Sequence, residues 1–221
     1  VLLDASGSMS FGGDGALPEG RSTGIQKWIY GRNLAAALAY LMVHQGDAAG
    51  LAVFREGIAD IVGARSGNVH LHHIYKILSQ MQPQQGTDTE KGLAGLPERF
   101  PQRGLIVLIS DLLDDPDKII SGLKGFCYRR HEILLFHLLA PEEREFPYRD
   151  NIEFVDAETQ QAITAQGSYV AKAYKDALEA HTAKIRRFCH QNNIDFVPLT
   201  TSDLLSTALA AYLNKRQRAM G

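Results

Sequence analysis

The chain has 221 residues, 45% hydrophobic and 22% charged, with a formal net charge of -2, a balance typical of a folded domain with a full core. That charge excludes a general nucleic-acid binder, which needs clustered Lys and Arg to displace counterions; the short basic runs Arg129-Arg130-His131 and Lys215 to Arg218 read as solvated helix ends. Cys127 and Cys189 stand in unrelated contexts and support neither a disulfide framework nor a CxxC metal site, which fits a reducing cytoplasmic compartment. The longest apolar run, Leu34 to Val43, is too short to cross a bilayer.

Val1 to Leu3 is an apolar run that passes without a break into Asp4-Ala5-Ser6-Gly7-Ser8-Met9. This reads as a buried strand delivering Asp4, Ser6 and Ser8 to the end of a sheet. Three small oxygen-bearing side chains loosened by Gly7 can bend round a common point, and hard cations take oxygen ligands. A single carboxylate carries too little charge for such an ion, so other ligands must come from elsewhere. The competing reading is structural, with Asp4 and Ser6 as a helix cap or Asx-turn. Residue 1 already lies in a strand, so residues 1–221 read as one domain cut from a longer protein that could carry a membrane tether upstream.

The Gly-rich stretch SFGGDGALPEGRSTG reads as a surface loop beside Asp4 and Ser8, a rim or an insertion. Trp28, Ile29, Leu34, Leu38, Leu41 and Met42 predict a helix from Lys27 to Gln45, ended by Gly46. Gly50 to Phe54 is a buried strand, and Ile58 to Val62 returns as its hairpin partner. A helix from Val69 to Met81 carries His70 and His73 on one face, a conceivable zinc pair without a Cys or acidic partner. QQGTDT is a loop, with Asp88 or Thr89 able to cap the helix that runs on towards Leu96.

Gly104 to Ile109 has the composition of a central parallel strand, and it ends in Ser110-Asp111. Asp114, Asp115 and Asp117 suit a cap for the helix after Pro116 better than Asp111 does. Then follow a strand from Ile133 to Leu139, a small hairpin added to the edge that takes in PEEREFP and Ile152 to Thr164 with its turn at Glu158 to Gln160, a helix from Tyr169 to Gln191, a strand from Ile194 to Leu199, and a helix from Ser202 to Lys215. The alternation predicts an α/β, doubly wound, mostly parallel sheet with helices on both faces, one antiparallel edge strand and the small hairpin. Ligands of such sheets sit beyond the strand carboxyl ends where strand order reverses. If the first strand and the Leu105 strand are neighbours there, Asp4, Ser6, Ser8 and Asp111 converge, and Thr87 arrives from the loop between them.

These residues resemble a von Willebrand factor A domain, whose metal-ion-dependent adhesion site has the form DxSxS, then a loop threonine, then an aspartate after the fourth strand. The resemblance implies a Rossmann-like fold and assigns Asp4, Ser6, Ser8, Thr87 and Asp111 as ligands of Mg2+, or of Mn2+ or Ca2+; Thr89 competes with Thr87, which is the first threonine after the glycine. The resemblance extends to a bacterial branch known only as a domain of unknown function and typically encoded beside a MoxR-type AAA+ ATPase. It rests on AAALAYLMVHQGDAAGLAVF, LIVLISDLLDD, RRHEILLFHLLAPEEREFP and the closing pattern with Tyr174, His181, Ile194-Asp195 and TTSDLLSTALAAYL. It implies a metal-dependent protein-interaction module, with a MoxR-type ATPase or its client as partner and no enzymatic activity. The alternative is a Mg2+-dependent phosphatase of haloacid dehalogenase type with Asp4 as nucleophile, but Ser6 stands where that chemistry needs a second acid. Serine hydrolysis is weaker still, since no GxSxG elbow is present.

Overall fold

The computed structural model describes residues 1–13, 24–84, 88–155 and 161–220. Strand β1 (Leu2–Asp4) runs into a 3-10 turn over Gly7–Ser10, followed by helix α1 (Lys27–His44), β2 (Ala49–Phe54), β3 (Ile58–Arg65), α2 (Asn68–Gln80), α3 (Thr89–Ala94), α4 (Leu96–Arg99) and β4 (Leu105–Ser110). The second half contains α5 (Pro116–Tyr128), β5 (Glu132–Leu139), α6 (Pro141–Glu145), β6 (Asn151–Val155), β7 (Ala162–Gln166), α7 (Gly167–Gln191), β8 (Asp195–Thr200) and α8 (Leu205–Met220).

The six-stranded sheet has the order β3-β2-β1-β4-β5-β8, and β6-β7 is a separate antiparallel pair. All pairings in the larger sheet are parallel except β2 with β3. The central strands carry apolar residues on both faces because both are covered. Leu3, Val107, Leu134 and Phe136 pack with Trp28, Leu38, Ile74 and Tyr212, while Leu2, Leu108, Ile133 and Leu135 pack with Leu93, Leu123, Phe126 and Ile185. β1 adds β2 on one side and β4 on the other, with Leu2 in register with Ala52 and Leu108. The order therefore reverses between β1 and β4, the position at which sheets of this kind bind their ligands.

Three local readings need correction. PEERE forms a helical turn, α6, which carries Glu143 back over the sheet. The helix expected from Thr89 breaks at Gly95, where Pro97 in the first turn of α4 starts a new one. The basic runs are only partly solvated: His131 is buried against Phe126 with its Nδ1 accepting from the Gly104 amide at 3.3 Å, and Lys215 pairs with Asp195 at 3.2 Å. Arg130, at φ 59°, reverses the chain and turns His131 inward. The expected turn at Glu158 to Gln160 and most of the Gly-rich loop lie outside the described residues. Among the described residues no helix is long and apolar enough to cross a membrane.

Candidate functional site

Asp4 ends β1 and is 2% exposed, so its carboxylate has to find its partners within the protein. The Ser6 amide donates to Oδ1 at 2.9 Å, and the Ser110 hydroxyl, from the end of neighbouring β4, donates to Oδ2 at 2.6 Å. Burial, reinforced by the negative charge of Asp111, nonetheless pushes the Asp4 carboxyl up to about 7. Ser6 and Ser8 follow on the 3-10 turn with their hydroxyls 3.1 Å apart, and the Ser8 hydroxyl reaches Asp111. Asp4, Ser6, Ser8 and Asp111 are thus brought together. Thr87 lies outside the described residues, but Gln84, three positions before it, is bridged to Ser6 and donates its amide to the Ala5 carbonyl at 3.1 Å. Thr89 is buried at the start of α3, its amide bound to Asp114, while Asp88 caps that helix through the Lys91 amide.

The residue that motif reading missed is Lys27. Its side chain is fully buried, with Nζ 2.7 Å from Asp111 Oδ2 and 2.5 Å from Glu143 Oε1. The other Glu143 oxygen accepts the Ala140 amide at 2.8 Å, which fixes the carboxylate on α6. Burial works against the Lys27 charge, yet the charges of Asp111 and Glu143 and their hydrogen bonds outweigh it and raise the ammonium above its ordinary range. Burial likewise opposes ionisation of Asp111, but the ammonium, with hydrogen bonds from Lys27, Ser8 and the Leu113 amide, holds its carboxyl below the usual range. A signal existed in the sequence: a lysine at the first position of a helix with no acid in its first turn stands against the helix dipole and needs a carboxylate from elsewhere.

The loops that present these groups are held tightly. The Lys27 amide bonds the Phe11 carbonyl at 3.0 Å, and Gly12 bridges Gln26. Only glycine serves at residue 12, where φ is 103° and a Cβ would lie 3.0 Å from the Ile25 carbonyl. After Asp111, Leu112 is buried in the left-handed region at φ 55°, its amide donating to Ser110 Oγ and its carbonyl accepting from His181 Nε2 at 2.7 Å. Tyr174 packs on Phe146 at the end of α6 with ring centroids 4.6 Å apart. His181 and Tyr174, noted in the sequence only as part of a pattern, therefore hold the loops that carry Asp111 and Glu143.

The donor set fits a hard divalent cation. All of its atoms are oxygens, two of them carboxylates from adjacent strands, and the 3.1 Å between the Ser6 and Ser8 hydroxyls matches the roughly 3 Å between neighbouring corners of an octahedron with 2.0–2.1 Å bonds. Among the described residues no group of three or more His, Cys, Asp and Glu side chains is arranged as a metal cage. The His70 and His73 pair gains no partner: His70 Nε2 bonds the Ala49 carbonyl at 2.7 Å.

Comparison with known proteins supports the architecture. The profile of a family described as protein of unknown function DUF58 matches residues 1–184. Uncharacterized proteins Rv1480 of Mycobacterium tuberculosis and Mb1516 of Mycobacterium bovis are each 27% identical over 231 aligned positions, covering 100% of this chain and 68% of theirs. Among solved structures, an aerotolerance-related membrane protein from Bacteroides fragilis superposes with TM-score 0.65 at 16% identity, covering 98% of this chain and 96% of that one. BatB from Bacteroides thetaiotaomicron gives 0.60 at 15% identity, covering 98% and 95%, and the VWA domain of SpRpn10 gives 0.52 at 12%, covering 95% and 90%. The fold is therefore von Willebrand factor A-like.

Proposed function

The chain belongs to the DUF58 family, and from that premise we propose that it is a protein-interaction module that recognises an acidic partner residue through a divalent cation held by Asp4, Ser6, Ser8, Thr87 and Asp111. The observation that carries this reading is the meeting of Asp4, Ser6, Ser8 and Asp111 at the β1–β4 switch point. Mg2+ would suit the set best, with Mn2+ or Ca2+ as substitutes, and two carboxylates with neutral hydroxyls would leave such an ion able to take a carboxylate oxygen from outside. Ser110 and the Ser6 amide orient Asp4, and Ser8 orients Asp111. The exposed side chains of Ile25 and Leu113, near Lys27 and Asp111 in the chain, give the rim apolar contacts, since one ion contact cannot carry the affinity.

A MoxR-type AAA+ ATPase or its client is the candidate partner, suggested by the family resemblance, and a cytoplasmic location with a tether upstream accords with it. The reading calls for no nucleophile or general base, so no hydrolase activity is expected. Titration calorimetry with Mg2+ and Mn2+ tests the site: wild type should bind, and Asp111→Ala should lose most of that binding. A pull-down of the ATPase should weaken with EDTA and with the Ser6→Ala/Ser8→Ala pair while circular dichroism stays unchanged. Full binding under both treatments would move the interaction to another face. Turnover on a phosphate-ester panel that vanishes in Asp4→Asn would replace this reading with the phosphatase.

A further inference from the structure

The cluster beneath the candidate site contains more charge than its ligands. Asp4, Asp111 and Glu143 bring three carboxylates and Lys27 one ammonium, all buried or nearly so. With every group ionised two negative charges remain, equal and opposite to a divalent cation. Lys27 shares its protons between Asp111 and Glu143, and its Nζ lies 5.7 Å from the Phe11 ring centroid. Glu143 is no ligand in the motif. It is 116 positions from Lys27, and the α6 turn brings it to the same ammonium that binds Asp111.

We propose that Glu143 is a built-in counterweight to Lys27: the ammonium pins Asp111 and the Glu143 carboxylate cancels the charge it adds, so that the pinned site keeps the preference for divalent over trivalent cations that Asp4 and Asp111 give it. The inference rests on the metal reading above and goes beyond it. Lys27 and Glu143 act here as positioning and selectivity residues, since neither is a ligand. An ammonium in direct contact with one ligand carboxylate reduces what that carboxylate offers a metal, and a second carboxylate behind the ammonium restores part of it through space. Removing either partner alone changes the site by one full charge. Removing both leaves the charge as it was.

That last property gives a test which separates charge from structure. Ca2+ and Tb3+ are close in size and differ in charge, so the ratio of their affinities reads the charge of the site. It can be measured by calorimetry for Ca2+ and by sensitised luminescence for Tb3+, on wild type, Lys27→Met, Glu143→Gln and the double variant K27M/E143Q. Lys27→Met should shift the ratio towards Tb3+ by about tenfold or more, Glu143→Gln should shift it the other way, and the double variant should return within about threefold of wild type. If Lys27→Met cannot be folded, Glu143→Gln and the double variant still decide the matter. Binding with an unchanged ratio in every variant overturns the role of Lys27 and leaves the metal site standing. Binding that appears only once Lys27 is removed makes the ammonium the occupant of the site and overturns the counterweight. No binding by any variant sinks the metal reading itself, and this inference with it.

Discussion

Lys27 and His137 both touch Asp111, one from each face of the sheet, and burial treats them alike while their partners do not. Lys27 meets two carboxylates and keeps its charge. His137, 3% exposed on β5, meets the Asp111 backbone, and its Nε2 has no partner beside a cavity of about 460 Å³ lined also by Thr182, Arg144 and Leu199. Burial pushes its imidazole down to about 4, although the Asp111 charge pulls the other way. The difference shows that desolvation sets the cost of a buried charge, and a carboxylate at hydrogen-bond distance decides whether it survives.

The largest effect should follow from breaking the charged half of the comparison. Lys27→Met leaves Asp111 and Glu143 buried without their counter-ion, and such losses run to about 3–5 kcal/mol. Urea unfolding in EDTA should show a drop of that order, and adding Glu143→Gln should recover a large part of it. A drop under about 1 kcal/mol would mean that the carboxylates take up protons or water without strain.

The neutral half is tested by acid. His137 has a folded pKa of about 4 against an ordinary 6.5. As pH falls below 6.5 the unfolded chain takes up a proton that the folded chain refuses, so stability present above that value is lost progressively down to about 4. The shift corresponds to roughly 3 kcal/mol. Asp4, raised to about 7, works in the opposite sense, since its carboxyl is protonated in the fold before it is in the unfolded chain. The measurement is therefore the difference between wild type and His137→Gln across pH 4 to 7, with the wild type losing more on the acid side. Parallel curves would show that His137 takes up its proton as freely in the fold as outside it.

Ser110 is the next smaller lever. It donates to Asp4 and accepts from the Leu112 amide, both buried. Ser110→Ala should cost about 1–3 kcal/mol and weaken cation binding several-fold, because Asp4 loses the hydrogen bond that favours its charged form. Calorimetry and urea unfolding on the same variant check both.

What the sequence disclosed follows the reach of each interaction. The strands were legible because both faces of the sheet are covered, so Leu105 to Ile109 is apolar throughout and Ile133 to Leu139 is apolar but for His137. The meeting of Asp4 with Asp111 was legible only on the condition that β1 and β4 are neighbours, which the family resemblance implied and the pairing of Leu2 with Leu108 bears out. Glu143 was not legible. It lies in PEEREFP, which the sequence groups with an added hairpin, and only the α6 turn brings it to Lys27. His181 is hidden in the same way, on a long helix whose spacing fixes a face but no particular contact.

His181 offers the smallest and most local test. The loop after Asp111 is held from one side by the Lys27 ammonium and from the other by a hydrogen bond from His181 Nε2 to the Leu112 carbonyl. Leu112 needs such a clamp, because a left-handed leucine costs of the order of 1–3 kcal/mol and persists only where its surroundings impose it. Its side chain is 1% exposed and its amide is tied to Ser110, so the loop has three anchors and His181 supplies one. His181→Phe should therefore lower stability by only about 1 kcal/mol, the net worth of one hydrogen bond. Its clearer signature should be faster hydrogen exchange at the Leu113 amide, which donates to Asp111 Oδ1 at 3.3 Å, with cation affinity falling only a few-fold because Lys27 still holds the other carboxylate oxygen. A loss of affinity as large as that of Asp111→Ala would make the His181 clamp, and not the buried ammonium, the group that places Asp111.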